Sequence, residues 1–311
     1  MRQIIGLLIG LALVLTACMP ATVVPTSQPK DKLAVIMVRG TLVIATDADY
    51  APQSQLLRDV LPAEDTKCEP TQYTANQLTG FDVDVAIEIA LRLGVEPCFV
   101  TPPWSQLVAG NWGDNWDVHV GSVAITYERM NVLYFSQPYY ATPTVILVHK
   151  DNTTFKKPED LSGKRIAVCV GCTFEAYLKG TLHIPGDEIE YRIYDPQIIA
   201  YENEEPAIDD LSAGDGVKLD ALITILPLAR QAISSEKPLK ILGEPLLFTY
   251  ASVTMDRSSR RDNMRLLNEI TKIIRELHGN EILKQLSIKY HGQDLTREAA
   301  RFDLSSLNQT P

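Results

Sequence analysis

Residues 117–140 read DVHVGSVAITYERMNVLYFSQPYY, and the rest of the chain is organised around them. Val118 and Val120 alternate with His119, the two-residue period of a pleated segment. Gly121 and Ser122 then interrupt the apolar run, and small residues at the C-terminal end of a strand let another group approach the backbone closely. Thr126 is placed to cap a short helical turn over Tyr127–Glu128–Arg129. Phe135, Ser136 and Pro138 lead into Tyr139 and Tyr140. One segment thus offers backbone donors, the hydroxyls of Ser122 and Thr126, and the guanidinium of Arg129. A guanidinium can grip a carboxylate through two parallel hydrogen bonds, which a lysine cannot do. A lone arginine is ordinarily a surface residue; the neighbours of Arg129 argue for a binding role.

The 311 residues suffice for two domains of ordinary size. At 45% hydrophobic and 22% charged, the composition is that of a soluble globular protein. Acidic residues outnumber basic ones by 39 to 29, a formal charge of −10, which speaks against a nucleic-acid partner. Arg2 precedes an apolar run from Ile4 to Leu15 that is too short for an ordinary bilayer span and has the form of an export signal. Export would place the remaining cysteines where disulfides persist.

The stretch GSVAITYERMNVLYFSQPYY resembles the signature of the family 3 extracellular solute-binding proteins, the amino-acid receptors of ABC importers. The likeness continues through TDADYAP (46–52), GFDVDVAIEIALRLGV (80–95), DLSGKRIAVCVGCT (160–173) and LSAGDGVKLDA (211–221), in the family's order. It implies an α/β fold of two lobes, type II periplasmic-binding-protein-like, each lobe a central sheet flanked by helices, with the ligand cleft between them. The expected boundaries are a lipoprotein signal peptide at 1–17, a lipidated cysteine and flexible tether at 18–36, lobe 1 at 37–142 plus 249–311, and lobe 2 at 143–248. Leu15–Thr16–Ala17–Cys18 resembles a lipoprotein box, which implies cleavage before Cys18 and a lipid on its sulfur. Pro20, Pro25 and Pro29 suit the tether. Cys68, Cys98, Cys169 and Cys172 remain and allow three connectivities; Cys68–Cys98 with Cys169–Cys172 keeps each pair within one lobe. His149 and His183 lack the spacing of a zinc site, so no metal or cofactor is expected. A thioredoxin-like role for C-V-G-C would require a thioredoxin context around it.

The resemblance also implies a ligand set. Asp47 and Tyr50 follow the apolar strand Thr41–Ala45, and in open α/β sheets ligands bind beyond the carboxyl ends of strands. Gln53 stands where the family usually has an aromatic, which makes that wall more polar. Gly80–Val95 reads as a helix, with Phe81, Val85, Ile89 and Leu93 at four-residue steps and Gly94 as its stop. Phe81 is implied to face the mouth of the cleft, with core packing as its alternative. Ser122, Ala124 and Arg129 are expected to face the ligand from lobe 1. Cys172, Thr173 and Phe174 are expected from lobe 2, where a strand, a glycine turn and a helix start gather free backbone donors. The family's acid for the ligand's α-ammonium falls on Ile225, which cannot supply it; either Asp47 and backbone carbonyls hold the ammonium, or the ligand has none. Trp104, Trp112 and Trp116 read as packing residues beside Gly110 and Gly113. Residues 53–79 exceed the family's usual connection, with a helical turn expected in LRDVLP and loop beyond it. A strand is expected at Gly186–Ile193 and a helix at Pro206–Ala213. Thr144–His149 and Leu247–Met255 are expected to cross between the lobes.

The expected function is that of a monomeric, lipid-anchored extracytoplasmic receptor. It would deliver a small carboxylate-bearing solute, an amino acid or a close analogue, to an ABC permease. Two other classes share the fold. A cyclohexadienyl-dehydratase-like enzyme would need a positioned acid in the cleft, for which Asp47 is the candidate. A sensory module would be coupled to a histidine kinase encoded next door in place of a permease.

Overall fold

The computed structural model of the protein describes residues 30–307; the export segment, Cys18 and the three tether prolines lie outside the described residues. Helix α1 (Lys32–Arg39) leads into β1 (Thr41–Ala45), β2 (Asp49–Tyr50), β3 (Ser54–Leu56), β4 (Tyr73–Thr74) and β5 (Leu78–Thr79). Then come α2 (Phe81–Leu93), β6 (Glu96–Val100), α3 (Trp104–Ala109), β7 (Val118–Ala124) and α4 (Tyr127–Met130). The long β8 (Leu133–His149) is followed by β9 (Arg165–Cys169), α5 (Thr173–Leu178), β10 (Gln197–Tyr201), α6 (Glu204–Ser212), β11 (Ala221–Ile225) and α7 (Leu226–Ser234). A second long strand, β12 (Leu239–Asp256), precedes α8 (Met264–Gly279), α9 (Ile282–His291) and α10 (Arg297–Ala300).

Nine strands form one sheet in the order β10-β9-β11-β8-β12-β7-β1-β6-β4. Its middle is the antiparallel pair β8–β12, which runs from Leu239 opposite His149 to Asp256 opposite Leu133. On one side β11 pairs antiparallel with β8, and β9 and β10 continue parallel to it. On the other, β7 pairs antiparallel with β12, and β1 and β6 continue parallel to it. Each end of the sheet has its own core. One is built around Ile36, Ile44, Phe81, Ile89, Val120 and Leu277, with a second cluster around Trp112, Trp116, Val123 and Phe135. At the other end Ile146 and Val148 pack with Ile166, Phe174 and Ile223, while Val145 and Leu147 pack with Ala207, Leu222 and Ala229. Successive side chains of a strand point to opposite faces. The continuous apolar run Val145–Val148 therefore serves two cores at once. Among the described residues no helix is long and apolar enough to cross a membrane.

Helix α2 shows how the local sequence dictates the element. Phe81, Val85, Ile89 and Leu93 are all buried on one face, Asp82 and Asp84 lie in the first turn, and Gly94 closes the helix in the left-handed region at φ 72°. Gly80 is required at its start, because a Cβ there would lie 2.2 Å from the carbonyl oxygen of Gln53.

Several expectations are corrected. Residues 32–36, expected in a flexible tether, belong to α1: Asp31 caps it by accepting from the Leu33 N–H at 3.1 Å, and Ile36 enters the core. Lys32 fixes its start through ion pairs with Asp114 at 2.8 Å and Asp117 at 3.6 Å. The crossing strands are far longer than the expected 144–149 and 247–255, because pairing continues past Pro138 on one and Gly243–Pro245 on the other. LRDVLP is not helical. The 53–79 connection instead contributes β3 and β5 to a small sheet with β2, and β4 to the edge of the large one. Within it Cys68 is bonded to Cys98 of β6, and farther on Cys169 is bonded to Cys172. No strand forms at 186–193: the Tyr177 hydroxyl donates to the Glu190 carbonyl at 3.1 Å and accepts from the Arg192 N–H at 3.0 Å, which ties the segment to α5.

Phe81 is fully buried against Tyr139, Tyr140 and His291. Phe81→Ala should lower the unfolding free energy by about 3–5 kcal/mol, as deletion of a buried ring does elsewhere. Urea unfolding followed by circular dichroism checks this, and a loss below about 1 kcal/mol would mean that the ring is not a core element.

Candidate functional site

Arg129 is held from its backbone outward. Thr126 caps α4 by accepting from the Arg129 N–H at 3.2 Å. The guanidinium donates to the Ala124 carbonyl at 3.0 Å and, across to the other half of the molecule, to the Gly171 carbonyl at 3.2 Å. Its central carbon lies 5.4 Å from the centroid of the Trp104 ring. Arg129 is 7% exposed, and among the described residues it forms no ion pair. Burial lowers its pKa to about 10, which still leaves it charged at neutral pH. Cys172 and Thr173 line a small cavity with Arg129 and Gly171. The N–H of Gly171 is spent on the Glu175 carboxylate at 2.6 Å, so the glycine turn offers fewer free donors than expected. Nearby, the Tyr127 N–H donates to the His183 carbonyl at 3.0 Å, a second contact between the halves.

A second cavity is lined by Asp47, Tyr50, Trp104, Ser122, Cys169, Asn203 and Glu204. Trp104 and the Cys169–Cys172 bridge connect the two cavities, because Trp104 carries Arg129 on its ring and the bridge has one cysteine in each. Asp47 accepts from the Asp49 N–H at 2.8 Å, and burial raises its pKa. Glu204, the first residue of α6, is 7% exposed; one oxygen accepts from the Thr224 hydroxyl. Burial, with help from the Asp47 charge, raises its pKa to about 7. Neither Asp47 nor Glu204 forms an ion pair among the described residues.

Behind Ser122 lies a buried polar network. Ser122 sits at φ 58°, a left-handed conformation that side chains rarely adopt. Its N–H donates to the Tyr139 hydroxyl at 2.8 Å, and its hydroxyl donates to Asp82 Oδ2 at 2.6 Å. Tyr139 donates to Asp82 Oδ1 at 2.8 Å, Tyr140 to Ser122 Oγ at 2.6 Å, and Gln53 Nε2 to the Tyr140 hydroxyl at 2.7 Å. His291 Nε2 meets Gln53 Oε1 at 2.7 Å. The donors of Ser122 are therefore committed inside the protein, and the residue shapes the cavity wall without a free donor to offer. Burial raises the Asp82 carboxyl to about 7 against two hydrogen bonds that oppose the shift.

The geometry thus brings Asp47, Tyr50 and Ser122 to one cavity, and Arg129, Cys172 and Thr173 to the other, while Ala124 contributes its carbonyl to Arg129. Three expected ligand residues are elsewhere. Phe81 is core, as is Phe174, and Ile225 is buried among Ile146, Ile166 and Leu228 and lines neither cavity. Gln53, expected on the wall, is buried in the network. Trp104, expected to be packing alone, lines the cleft, and Asp82 and Glu204 were not expected in the site. A signal for Glu204 exists in the sequence: with Ala207 and Leu211 it completes the buried stripe of α6.

Two sheet-centred halves joined by long crossing strands, with unpaired buried charges facing the gap, define a type II periplasmic binding-protein fold. The sequence matches the bacterial extracellular solute-binding proteins, family 3, over residues 63–293, and the chain belongs to that family. It is 29% identical over 231 residues to the probable amino-acid-binding protein YxeM of Bacillus subtilis, covering 74% of this chain and 82% of that protein. It is also 29% identical over 262 residues to the L-cystine-binding protein TcyJ of Escherichia coli, covering 83% and 85%. Among solved structures, an ancestral amino-acid-binding protein described as a precursor of cyclohexadienyl dehydratase superposes with a TM-score of 0.66 at 26% identity, covering 84% of this chain and all of that one.

Asp82 has a pKa of 3.8 as a free side chain and about 7 in the fold, so between those values the folded state binds the extra proton and stability falls as pH rises. Asp82→Asn cannot ionise. Its stability relative to wild type should therefore improve from about pH 4.5 to about pH 7.5. Urea unfolding of both proteins at the two pH values measures this; a pH-independent difference would show that Asp82 has an ordinary pKa in the fold.

Proposed function

We propose that the protein is an extracytoplasmic receptor for an amino acid, held at the membrane by a lipid on Cys18, and that it passes its ligand to an ABC permease. The observation that carries this reading is Arg129, a buried, charged guanidinium without an ion-pair partner among the described residues, set between the two halves beside Gly171 and Thr173. A ligand carboxylate supplies the missing counter-charge. The relatives' names support an amino acid, and the family supports an extracellular site of action. In this reading residues 32–142 and 249–307 form one lobe, residues 143–248 form the other, and the lobes close on the ligand as the monomer works. The ligand contacts are Arg129, Thr173 and Cys172 at the carboxylate end, with Asp47, Tyr50 and Trp104 beyond. Binding without turnover is favoured over a dehydratase because both relatives above are named as binding proteins.

A thermal-shift screen of residues 31–311 against amino acids, polyamines and small carboxylates tests the ligand class. A bound amino acid at about a hundred times its Kd should add about 2.7 kcal/mol of stability, and a screen answered only by non-carboxylates would overturn the reading. Arg129→Ala should weaken binding of that amino acid by about 2–4 kcal/mol, and Arg129→Lys should restore only part of the loss because the paired geometry is gone. Unchanged affinity in both variants would remove Arg129 from the site. For the anchor, Cys18→Ser should release the protein from the membrane fraction or block its processing; a variant processed and retained like wild type would refute lipidation.

A further inference from the structure

We infer that Glu204 is the ammonium-binding residue of this receptor, taking the place that Ile225 leaves without a charge; the inference rests on the amino-acid reading of the cleft. Four observations lead to it. Ile225 is enclosed in apolar packing and lines no part of the cleft. Glu204 is more than nine-tenths buried and yet lines the cavity that contains Asp47, Tyr50 and Trp104. One of its oxygens is fixed by the hydroxyl of Thr224, the residue next to Ile225, and no described residue is hydrogen-bonded to the other. Among the described residues no lysine, arginine or histidine pairs with Glu204 or with Asp47 across from it.

Two carboxylates from opposite halves, close enough that the Asp47 charge raises the pKa of Glu204 and taken largely out of water, are costly unless a cation joins them. Arg129 does not do so: it forms no ion pair with either carboxylate, and the two donors it uses within the protein go to Ala124 and Gly171. A solute cation would. An α-amino acid whose carboxylate lies at Arg129 carries that cation on the adjacent carbon, and Trp104 spans the interval by touching Arg129 and lining the cavity of Glu204. Thr224, near the end of β11, and the start of α6 hold the carboxylate in place. This predicts discrimination between an amino acid and the 2-hydroxy acid of the same side chain, a charge difference at one atom.

The experiment uses the twenty common L-amino acids with L-cystine and L-ornithine, then the 2-hydroxy acid matching whichever stabilises the protein most. Both ligands are titrated calorimetrically into wild type, Glu204→Gln and Thr224→Val. Wild type should prefer the amino acid at least tenfold. Glu204→Gln should abolish that preference by weakening the amino acid while leaving the hydroxy acid unchanged or tighter, and Thr224→Val should reduce the preference in the same direction with Glu204 still present. A preference unaltered in Glu204→Gln overturns the inference and leaves the amino-acid reading standing. Equal binding of both ligands to wild type also overturns the inference alone. No binding of any amino acid to wild type overturns the reading itself. If Glu204→Gln does not fold, Thr224→Val decides: an unchanged preference there counts against Glu204.

Discussion

The antiparallel pairing of β8 with β12 is the constraint on which everything else depends. These strands are the rails on which both halves are assembled, and each rail belongs to both halves at once. Because β7 hangs from β12 and β11 hangs from β8, the two parallel runs of strands extend outward from a common seam. The residues that follow β1, β7 and β9 then come together near that seam. Arg129 and Gly171 meet for this reason, although 42 residues separate them, and Asp47 lines the neighbouring cavity.

The meeting ground is electrically unbalanced. In one cavity stands an arginine whose partners are two carbonyls; in the other stand Asp47 and Glu204, whose partners are hydroxyl and amide groups. Proteins seldom bury charges in this state, because each isolated charge loses hydration without a matching gain. Where both signs are left separated across a cleft, the arrangement suits a small molecule that carries both signs itself. Asp82 is a different case. Its carboxyl is engaged by two hydroxyls and organises the left-handed turn at Ser122 that shapes the wall.

Much of this was legible in the residues. The period of α2 and the cap at Thr126 are local properties, written in spacing and residue type, whereas a place for Arg129 opposite the glycine turn was implied by the family resemblance. What the residues left open or did not disclose was set by distant contacts. Phe81 belongs to the core because Tyr139, Tyr140 and His291 converge on it from two other elements. Trp104 reaches the cleft because α3 passes beneath Arg129, which nothing in its neighbouring glycines discloses. Glu204 sits among four other acids in residues 202–210, where charge counting points to solvent and only the helical stripe points inward. The full length of the crossing strands is hidden in the sequence because Pro138 and Gly243–Pro245 interrupt them, whereas pairing on either side of each carries the ladder through.

That ladder is not uniform. From Leu242 opposite Ile146 the register jumps to Leu247 opposite Thr144, so residues 243–246 of β12 face the single residue Val145. Gly243, at φ 62°, lies in this surplus. A stretch of ribbon with extra chain on one edge and missing cross-links resists torsion less than the ladder on either side of it. Torque applied between the ends of the sheet is therefore concentrated there. The molecule carries its compliance at a defined point on one edge, while both cores stay stiff.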